Sequence, residues 1–285
     1  MAVQLDVSHA LLLAPGQGEP ITDTAERELR ILSDHDLLNL TWTRHAAGER
    51  GAEPHVHLHH TDAFYVLAGE MTFRLGPELE PVVVRAGTLV LVPAGVVHAF
   101  DNDSSGEVRF LNVHAPSGGF VEYLRGRGSF DSQDPPQDGG RPASDAVIRG
   151  PDEGETLTLG PNTLILKAEV GDGDGTFYLG EMTLGAFPGP PPHFHERHLD
   201  SFFVLEGTLT LLLGDDAAEA SAGSYAVVPP GSVHTFSNPG EGTVRALNIM
   251  GPGGFEQYLK EAAAAGTADP AALAKIAARY DFQPT

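Results

Sequence analysis

The sequence HVHLHHTDAFYVLAG, residues 55–69, returns as HFHERHLDSFFVLEG at residues 193–207, 138 residues further along the chain. A second stretch, GTLVLVPAGVVHAFDN at 87–102, returns as GSYAVVPPGSVHTFSN at 223–238, now 136 residues further along. The two-residue difference falls in the turn after Gly76, where the first copy is longer. Self-similarity at a nearly fixed spacing is the signature of a duplicated unit. Two copies of one fold therefore account for most of the 285-residue chain.

Each copy is predicted to consist of short β-strands. Runs of β-branched and aromatic residues alternate with Gly, Pro, Asp and Asn, which is typical of strands separated by turns. The predicted strands are 64–67, 71–75, 89–92 and 108–113 in the first copy, and 202–205, 209–213, 225–228 and 244–249 in the second. Many short strands with no helices between them indicate a β-sandwich or a closed barrel.

The boundaries of the two copies follow from composition. Residues 125–146 are rich in Gly, Pro, Asp, Ser and Gln and contain few large apolar side chains, so we expect a linker there. Near the C-terminus, Asp269 and Pro270 form a pattern typical of a helix N-cap followed by proline at the first helical position. The predicted domains are an N-terminal barrel at 1–124, the linker at 125–146, a C-terminal barrel at 147–260 and a helical tail at 261–285.

The composition limits the classes of partner. A formal net charge of −22 argues against nucleic acid and against acidic membrane surfaces, both of which need basic patches. The absence of cysteine excludes disulfides, thiolate metal ligands and a cysteine nucleophile. The apolar run at 10–14 is short and has no Lys or Arg before it, so we expect neither a signal peptide nor a membrane span. We therefore expect a cytoplasmic protein whose partner is a small-molecule substrate or ligand.

Histidines and carboxylates repeat in a pattern that suits a metal site. His55 and His57 are two residues apart, so strand alternation places both on one face. Four residues separate His57 from Asp62, and His98 follows a Pro-x-Gly turn. The candidate ligands are His55, His57, Asp62 and His98 in the first copy, and His193, His195, Asp200 and His234 in the second. Nitrogen and oxygen ligands without sulfur suit Fe, Ni, Mn, Cu or Zn as divalent ions, and the spacing does not rank these metals.

The spacing of the two motifs resembles that of the cupin superfamily. The chain carries His-x-His-x4-carboxylate-x6-Gly, followed by Gly-x5-Pro-x-Gly-x2-His-x3-Asn, and both copies match the second motif at each fixed position. The resemblance covers about residues 35–125 and 165–260. It implies an all-β bicupin with two tandem jelly-roll barrels, short helices at the C-terminal end of each copy, and one divalent transition metal per barrel. A homodimer is a further assembly that the resemblance leaves open.

The carboxylate position departs from the family pattern. Cupins usually have Glu where this chain has Asp62 and Asp200, and Asp is one methylene shorter. Each Asp would bind the metal directly, bind it through water, or leave a site of three histidines. His60 and His198 lie two residues before the Asp residues, on the same predicted strand face. Either histidine could support or replace the carboxylate.

The same strand parity predicts the lining of each barrel. Phe64, Phe100, Phe202 and Phe236 share parity with the proposed ligands, so we expect them to point inward. These phenylalanines form either the barrel core or, together with His60 and His198, the walls of a pocket for an apolar or aromatic substrate.

The resemblance also leads to a functional hypothesis. The segment 202–207 and the x4 spacing before the carboxylate resemble the quercetin 2,3-dioxygenase-like bicupins. This likeness implies a metal-dependent dioxygenase acting on an aromatic or enolic small molecule. We expect Asp62 and Asp200, held in an apolar cavity, to have raised pKa values and to accept the substrate's hydroxyl proton as catalytic bases. The alternatives are a non-catalytic small-molecule-binding or sensing cupin, and a metal-dependent isomerase or cyclase.

Overall fold

The computed structural model describes residues 7–266 and 270–285, which form two compact units. Unit 1 comprises Gly18–Glu153 and Gly171–Thr176; unit 2 comprises the described residues of Asp6–Gln17, Gly154–Val170 and Phe177–Thr285. The predicted N-cap residue Asp269 lies outside the described residues.

Strands are numbered β1 to β23 and helices α1 to α3 along the chain, and unit 1 contains two antiparallel sheets. Its strands are β2 (Glu19–Asp23), β3 (Arg27–His35), β4 (Leu38–His45), β5 (Arg50–His55), β6 (Thr61–Ala68), β7 (Glu70–Leu75), β8 (Glu80–Arg85), β9 (Leu89–Val92), β10 (His98–Asp101), β11 (Val108–Ala115) and β12 (Val147–Arg149). One sheet has the order β12-β9-β6-β11-β4-β3-β2 and the other has the order β5-β10-β7-β8. Helix α1 (Phe120–Leu124) follows the last strand of the repeat.

Unit 2 has the same arrangement. Its strands are β1 (Leu11–Leu13), β13 (Glu155–Leu159), β14 (Asn162–Ala168), β15 (Tyr178–Leu184), β16 (His193–Phe194), β17 (Leu199–Glu206), β18 (Thr208–Leu213), β19 (Asp216–Ser221), β20 (Tyr225–Val228), β21 (His234–Ser237), β22 (Val244–Gly251) and β23 (Gln283–Pro284). The sheets have the orders β1-β20-β17-β22-β15-β14-β13 and β19-β18-β21-β16-β23. Helices α2 (Glu256–Ala265) and α3 (Pro270–Ala277) follow β22. The predicted all-β jelly-roll class, with short helices after each copy, is confirmed.

The core of each unit lies between its two sheets. In β7 the alternate side chains of Met71, Phe73 and Leu75 are buried, whereas Glu70 is exposed. These inward side chains pack against Phe64 of the facing sheet in one apolar cluster. Burying each such side chain stabilises the fold by about 1.5–3 kcal/mol, so the period-2 pattern fixes which face of each strand turns inward.

Segments from outside the repeat complete both seven-stranded sheets. Strand β1 pairs with β20 in unit 2, and β12 pairs with the equivalent strand β9 in unit 1. The observed units therefore differ from the predicted boundaries, because residues 7–17 belong to unit 2 whereas 147–153 and 171–176 belong to unit 1. An edge strand of three residues carries too little pattern to reveal which sheet it joins.

The predicted linker, 125–146, lies within unit 1. Its backbone is mostly irregular, as its composition indicates, but it is anchored at several points. Val56 forms an antiparallel bridge with Gln133, and Val96 forms a parallel bridge with Arg141. The Arg125 guanidinium forms ion pairs with Glu19, Asp34 and Glu122.

Among residues 7–266 and 270–285, no helix combines the length and the apolar character needed to span a membrane.

Four glycines in turns adopt a backbone conformation that other residues rarely take. Gly69, Gly95, Gly207 and Gly231 all have positive φ, between 80° and 84°, a conformation that favours glycine because it has no Cβ. At Gly69 an added Cβ would lie 2.3 Å from the carbonyl oxygen of Glu107.

We expect the Gly69→Ala substitution to lower the free energy of unfolding of unit 1 by about 2–4 kcal/mol, through backbone strain and the overlap with Glu107. The matched control is Gly48→Ala, since Gly48 has a similar φ of 73° and open space around its Cβ position. This control should lose only about 1–2 kcal/mol. The chain's one tryptophan, Trp42, lies in β4, so urea unfolding followed by its fluorescence reports on unit 1. Equal losses in the two variants would contradict the packing argument.

Candidate metal centres

Strand register brings the separated histidines of unit 1 together. His55 ends β5 and His98 begins β10, and the two residues are direct antiparallel partners. His57 follows β5 after one further residue, and Asp62 lies near the start of β6 in the facing sheet. The nitrogen and oxygen atoms of His55, His57, Asp62 and His98 that could bind a metal all lie within 4.8 Å of one another.

Unit 2 repeats this arrangement. His193 and His234 are antiparallel partners, and the candidate ligand atoms of His193, His195 and His234 lie within 4.8 Å of one another. The ring centroids are 4.4–5.3 Å apart in unit 2 and 4.1–5.1 Å apart in unit 1. The structure therefore gathers the three sequence-predicted histidines in each unit.

The six histidines share one hydrogen-bond arrangement. Each donates its Nδ1–H to a backbone carbonyl oxygen, which can only accept. The pairs are His55 to Glu53 (2.8 Å), His57 to Asp131 (2.5 Å), His98 to Val96 (3.1 Å), His193 to Pro191 (2.9 Å), His195 to Asp281 and His234 to Ser232 (3.1 Å). In the neutral ring, Nε2 is then the bare nitrogen. Each trio therefore turns its Nε2 atoms inward, where Nε2 of His98 and Nε2 of His234 lie 3.2 and 3.1 Å from the carboxylates of Asp62 and Asp200.

This arrangement fits a bound metal ion. Within the described chain, Nε2 of His57 and Nε2 of His195 are buried and have no hydrogen-bond partner, a condition that costs about 1–3 kcal/mol per group. Burial, with the neighbouring His98 and His57, lowers the pKa of His55 to about 3. Burial lowers the pKa of His193 to about 3 in the same way. The neutral imidazoles that result are the form that binds metal ions.

Each of the two aspartates turns one carboxylate oxygen toward the histidines, and its other oxygen accepts a hydrogen bond from an asparagine. Oδ1 of Asp62 accepts from Nδ2 of Asn112 at 2.5 Å. Its Oδ2 lies 3.2 Å from Nε2 of His98 and 3.7 Å from Nε2 of His57. Asp is therefore long enough to face the cluster directly, although it is shorter than the Glu of the family pattern.

Asp200 is held in the same way. Its Oδ1 accepts from Nδ2 of Asn248 at 2.6 Å, and its Oδ2 lies 3.1 Å from Nε2 of His234 and 3.7 Å from Nε2 of His195. The sequence analysis missed both asparagines. The signal was present, because Leu-Asn recurs at 111–112 and 247–248 at the repeat spacing.

The prediction that the two aspartates have raised pKa values is wrong. Burial alone would raise the pKa of Asp62, but facing His114, His57 and His98 outweigh burial and hold this pKa well below its usual value. His195 and His234 likewise hold the pKa of Asp200 below its usual value against the effect of burial. An ionised carboxylate among imidazoles suits a metal ligand better than a proton acceptor.

Each site is also held by one aspartate from outside the repeated sequence, and in unit 1 this residue is Asp131. The carbonyl of Asp131 accepts from His57, and its carboxylate accepts from the backbone N–H of Leu58 at 3.1 Å and of His59 at 2.6 Å. This carboxylate also lies 3.1 Å from Nδ1 of His60. Asp131 lies in the predicted linker, so composition concealed its role.

Asp281 holds the same position in unit 2. Its carbonyl accepts from His195, and its carboxylate accepts from the backbone N–H of Glu196 and Arg197 at 2.7 and 2.9 Å. The same carboxylate lies 2.5 Å from Nδ1 of His198. Asp131 follows His57 by 74 residues, whereas Asp281 follows His195 by 86. The fixed repeat spacing therefore could not reveal the pair, and only an aromatic-Asp dipeptide marks both positions.

The predicted pocket residues fall into two groups. His60 and His198 are buried and bound through Nδ1 to Asp131 and Asp281. The phenylalanines belong to the apolar cores of the two units, where the rings of Phe64 and Phe100 are 4.9 Å apart and those of Phe202 and Phe236 are 5.1 Å apart.

We expect the Asn112→Leu substitution to weaken metal binding at one of the two sites by about 10–100-fold, because Asp62 loses the donor that orients it. Competition between the protein and a chelator for Zn(II) measures this change. Asn102→Leu is the control, since Nδ2 of Asn102 donates to the carbonyls of Ala46 and Gly106 in a turn. The control should lose stability and keep both affinities. Full affinity in Asn112→Leu would show that the asparagine does not orient the carboxylate.

The sequence of this chain is similar to a known protein family and to a characterised protein. The cupin domain family matches residues 42–114 and 180–250, one region in each unit. Quercetin 2,3-dioxygenase of Bacillus subtilis (strain 168) is 25% identical over 108 residues, 38% of this chain and 32% of that protein. The match therefore spans about a third of that curated relative's length.

Solved structures share the fold at low identity. Oxalate decarboxylase from Bacillus subtilis has a TM-score of 0.59 and 13% identity, covering 88% of this chain and 78% of that chain. Vicilin from Corylus avellana has a TM-score of 0.58 and 13% identity, covering 85% of each chain. Both likenesses concern the fold alone. Because the family matches half of the sequence, once in each unit, this chain belongs to the cupin domain family and is a bicupin.

Proposed function

We propose that each unit binds one divalent transition metal and that the protein is a metal-dependent dioxygenase acting on an aromatic or enolic small molecule. In unit 1 the ligands are Nε2 of His55, His57 and His98 with Oδ2 of Asp62. In unit 2 they are Nε2 of His193, His195 and His234 with Oδ2 of Asp200. The observation that carries the metal site is the set of six Nδ1–H to carbonyl bonds, which turn Nε2 of each histidine away from the backbone and toward the other candidate ligands.

The reaction class rests on the ligand chemistry and on one relative. Three imidazoles and one carboxylate, with no sulfur, are a donor set that Fe, Ni, Mn, Cu and Zn accept. The relative with 25% identity over 108 residues is a quercetin 2,3-dioxygenase, and quercetin is an aromatic enol. Aromatic rings beside each site, Phe130 next to His57 and Phe282 next to His193, suit a ring-shaped substrate of this kind.

A bound divalent metal would supply Lewis acidity, polarising an enol or phenol oxygen of the substrate. The protein's own residues supply position and exclusion of water. Phe64 and Phe100 pack together in the apolar core of unit 1, from which water is excluded. Oδ2 of Asp62 stays ionised because the facing histidines lower its pKa, so it acts as a ligand and only weakly as a base.

Metal content and oxygen consumption test the proposal together. Untagged protein reconstituted with each metal in turn should hold about two ions per chain by elemental mass spectrometry. Asp62→Ala and Asp200→Ala should each lower the affinity of one site by about 10–100-fold, since each removes an ionised ligand. Asp216→Ala is the control because Asp216 is exposed on β19, and it should change neither site. The metal-loaded chain should consume O2 when a flavonol is added.

The other outcomes separate the alternatives. Two bound metals without O2 consumption on any aromatic enol would refute the dioxygenase and favour a metal-dependent isomerase or cyclase. A chain that binds none of Fe, Ni, Mn, Cu and Zn would refute the dioxygenase and the metal-dependent isomerase or cyclase alike. It would favour a non-catalytic small-molecule-binding cupin. Metal retained in both aspartate variants would refute carboxylate ligation and leave sites of three histidines.

A further inference from the structure

Unit 1 contains a second trio of buried histidines beside the first. His60 and His114 join His57, and the three rings are at most 2% exposed. Their candidate ligand nitrogens lie within 4.8 Å of one another. The ring centroids are 4.2, 5.1 and 5.7 Å apart, close to the spacing within the His55–His57–His98 trio. The function proposed above does not use His114.

The hydrogen-bond partners of His60 and His114 show which ring nitrogens carry a hydrogen. Nδ1 of His60 faces the carboxylate of Asp131 at 3.1 Å, and a carboxylate accepts, so this nitrogen carries the hydrogen. Nε2 of His114 faces Oδ1 of Asn112 at 3.0 Å. Because Nδ2 of Asn112 donates to Asp62, its Oδ1 accepts and Nε2 of His114 donates.

The inner nitrogens of the two neutral rings are consequently both bare. Nε2 of His60 and Nδ1 of His114 lie 3.0 Å apart, and two lone pairs at this distance repel unless a cation lies with them. Nε2 of His57, which is buried and unpaired within the described chain, is the third nitrogen of the trio. The trio therefore offers Nε2 of His57, Nε2 of His60 and Nδ1 of His114, a set of nitrogen ligands only.

The two added rings are fixed in place by their neighbours. An added Cβ at Gly118 would lie 2.6 Å from Nδ1 of His60, so the backbone packs directly against this ring. The ring of Phe120 lies over His114 with centroids 3.7 Å apart. A rigid set of imidazoles binds metal ions more tightly than a mobile set, because less freedom is lost on binding.

We propose that unit 1 has a second metal position, formed by His57, His60 and His114, that takes a nitrogen-preferring ion such as Zn(II), Cu(II), Ni(II) or Co(II). It shares Nε2 of His57 with the site proposed above, so the two positions compete for that ligand. Imidazole suits these ions, whereas the first position also offers a carboxylate oxygen. The choice of metal therefore decides which position is filled.

Among its described residues, unit 2 lacks this position and so provides an internal comparison. His114 pairs with Asp62 across β11 and β6, and Met250 pairs with Asp200 at the equivalent place across β22 and β17. His198 is present and is bound to Asp281. The thioether of Met250 in place of an imidazole removes the third nitrogen.

The decisive variant removes two ligands from each primary site and leaves the second trio intact. In a chain carrying His55→Ala, His98→Ala, His193→Ala and His234→Ala, we expect one Zn(II) per chain by elemental mass spectrometry after gel filtration. Adding His114→Met should abolish this binding. Adding Met250→His instead should raise the content toward two, because it gives unit 2 the equivalent trio. Circular dichroism checks that each variant is folded.

A second measurement applies if the fourfold variant does not fold. With only unit 2 silenced by His193→Ala and His234→Ala, Cu(II) bound to unit 1 should give two electron paramagnetic resonance species, and His114→Met should leave one. A folded fourfold variant without metal, or a single Cu(II) species that His114→Met does not change, would overturn the second position. If the second position is overturned but the wild-type chain still holds two metal ions, the two sites proposed above remain supported. A wild-type chain without metal would refute those two sites.

Discussion

The bond from each histidine Nδ1–H to a backbone carbonyl is the interaction on which both sites depend. It fixes the ring plane and keeps the hydrogen on Nδ1, so Nε2 is the atom that can bind a metal ion. Four of the six carbonyls belong to the residue two positions earlier, as in His55 to Glu53 and His98 to Val96. An extended chain brings such a carbonyl beside the ring without help from distant segments. The jelly roll therefore prepares these four histidines by local geometry.

The remaining two histidines depend on distant chain segments. His57 is held by Asp131 and His195 by Asp281, 74 and 86 residues away. Each aspartate also accepts hydrogen bonds from the loop that follows its histidine. One residue thus orients a ring and closes a loop at the same time. The ionised Asp62 is balanced by the imidazoles it faces, so charge and hydrogen bonding together stabilise a polar cluster inside an apolar barrel.

The repeat made much of this predictable. Period-2 alternation predicted that His55 and His57 share one strand face, and the resemblance to the cupin superfamily predicted that His98 would join them. The role of Asp131 could not be predicted, because its distance in sequence from His57 differs from that between Asp281 and His195. The residues around Asp131 also resemble a linker in composition. The sign of the pKa shift at Asp62 was predicted wrongly, since burial is visible in a sequence pattern but the groups that face a carboxylate are not. The sequence contains no pattern that predicts that β1 joins a sheet of unit 2 and β12 a sheet of unit 1.

The most direct test observes the histidine tautomers. Nitrogen-15 NMR of protein labelled at histidine distinguishes protonated from bare ring nitrogens in the metal-free chain near neutral pH. We expect all six site histidines to keep Nδ1 protonated with and without metal, and we expect Zn(II) to shift their Nε2 resonances and to displace any hydrogen that Nε2 of His98 or His234 shares with the facing carboxylate. Nδ1 atoms without a hydrogen, or Nε2 resonances that Zn(II) leaves unchanged, would contradict the view that these barrels are built around metal ions.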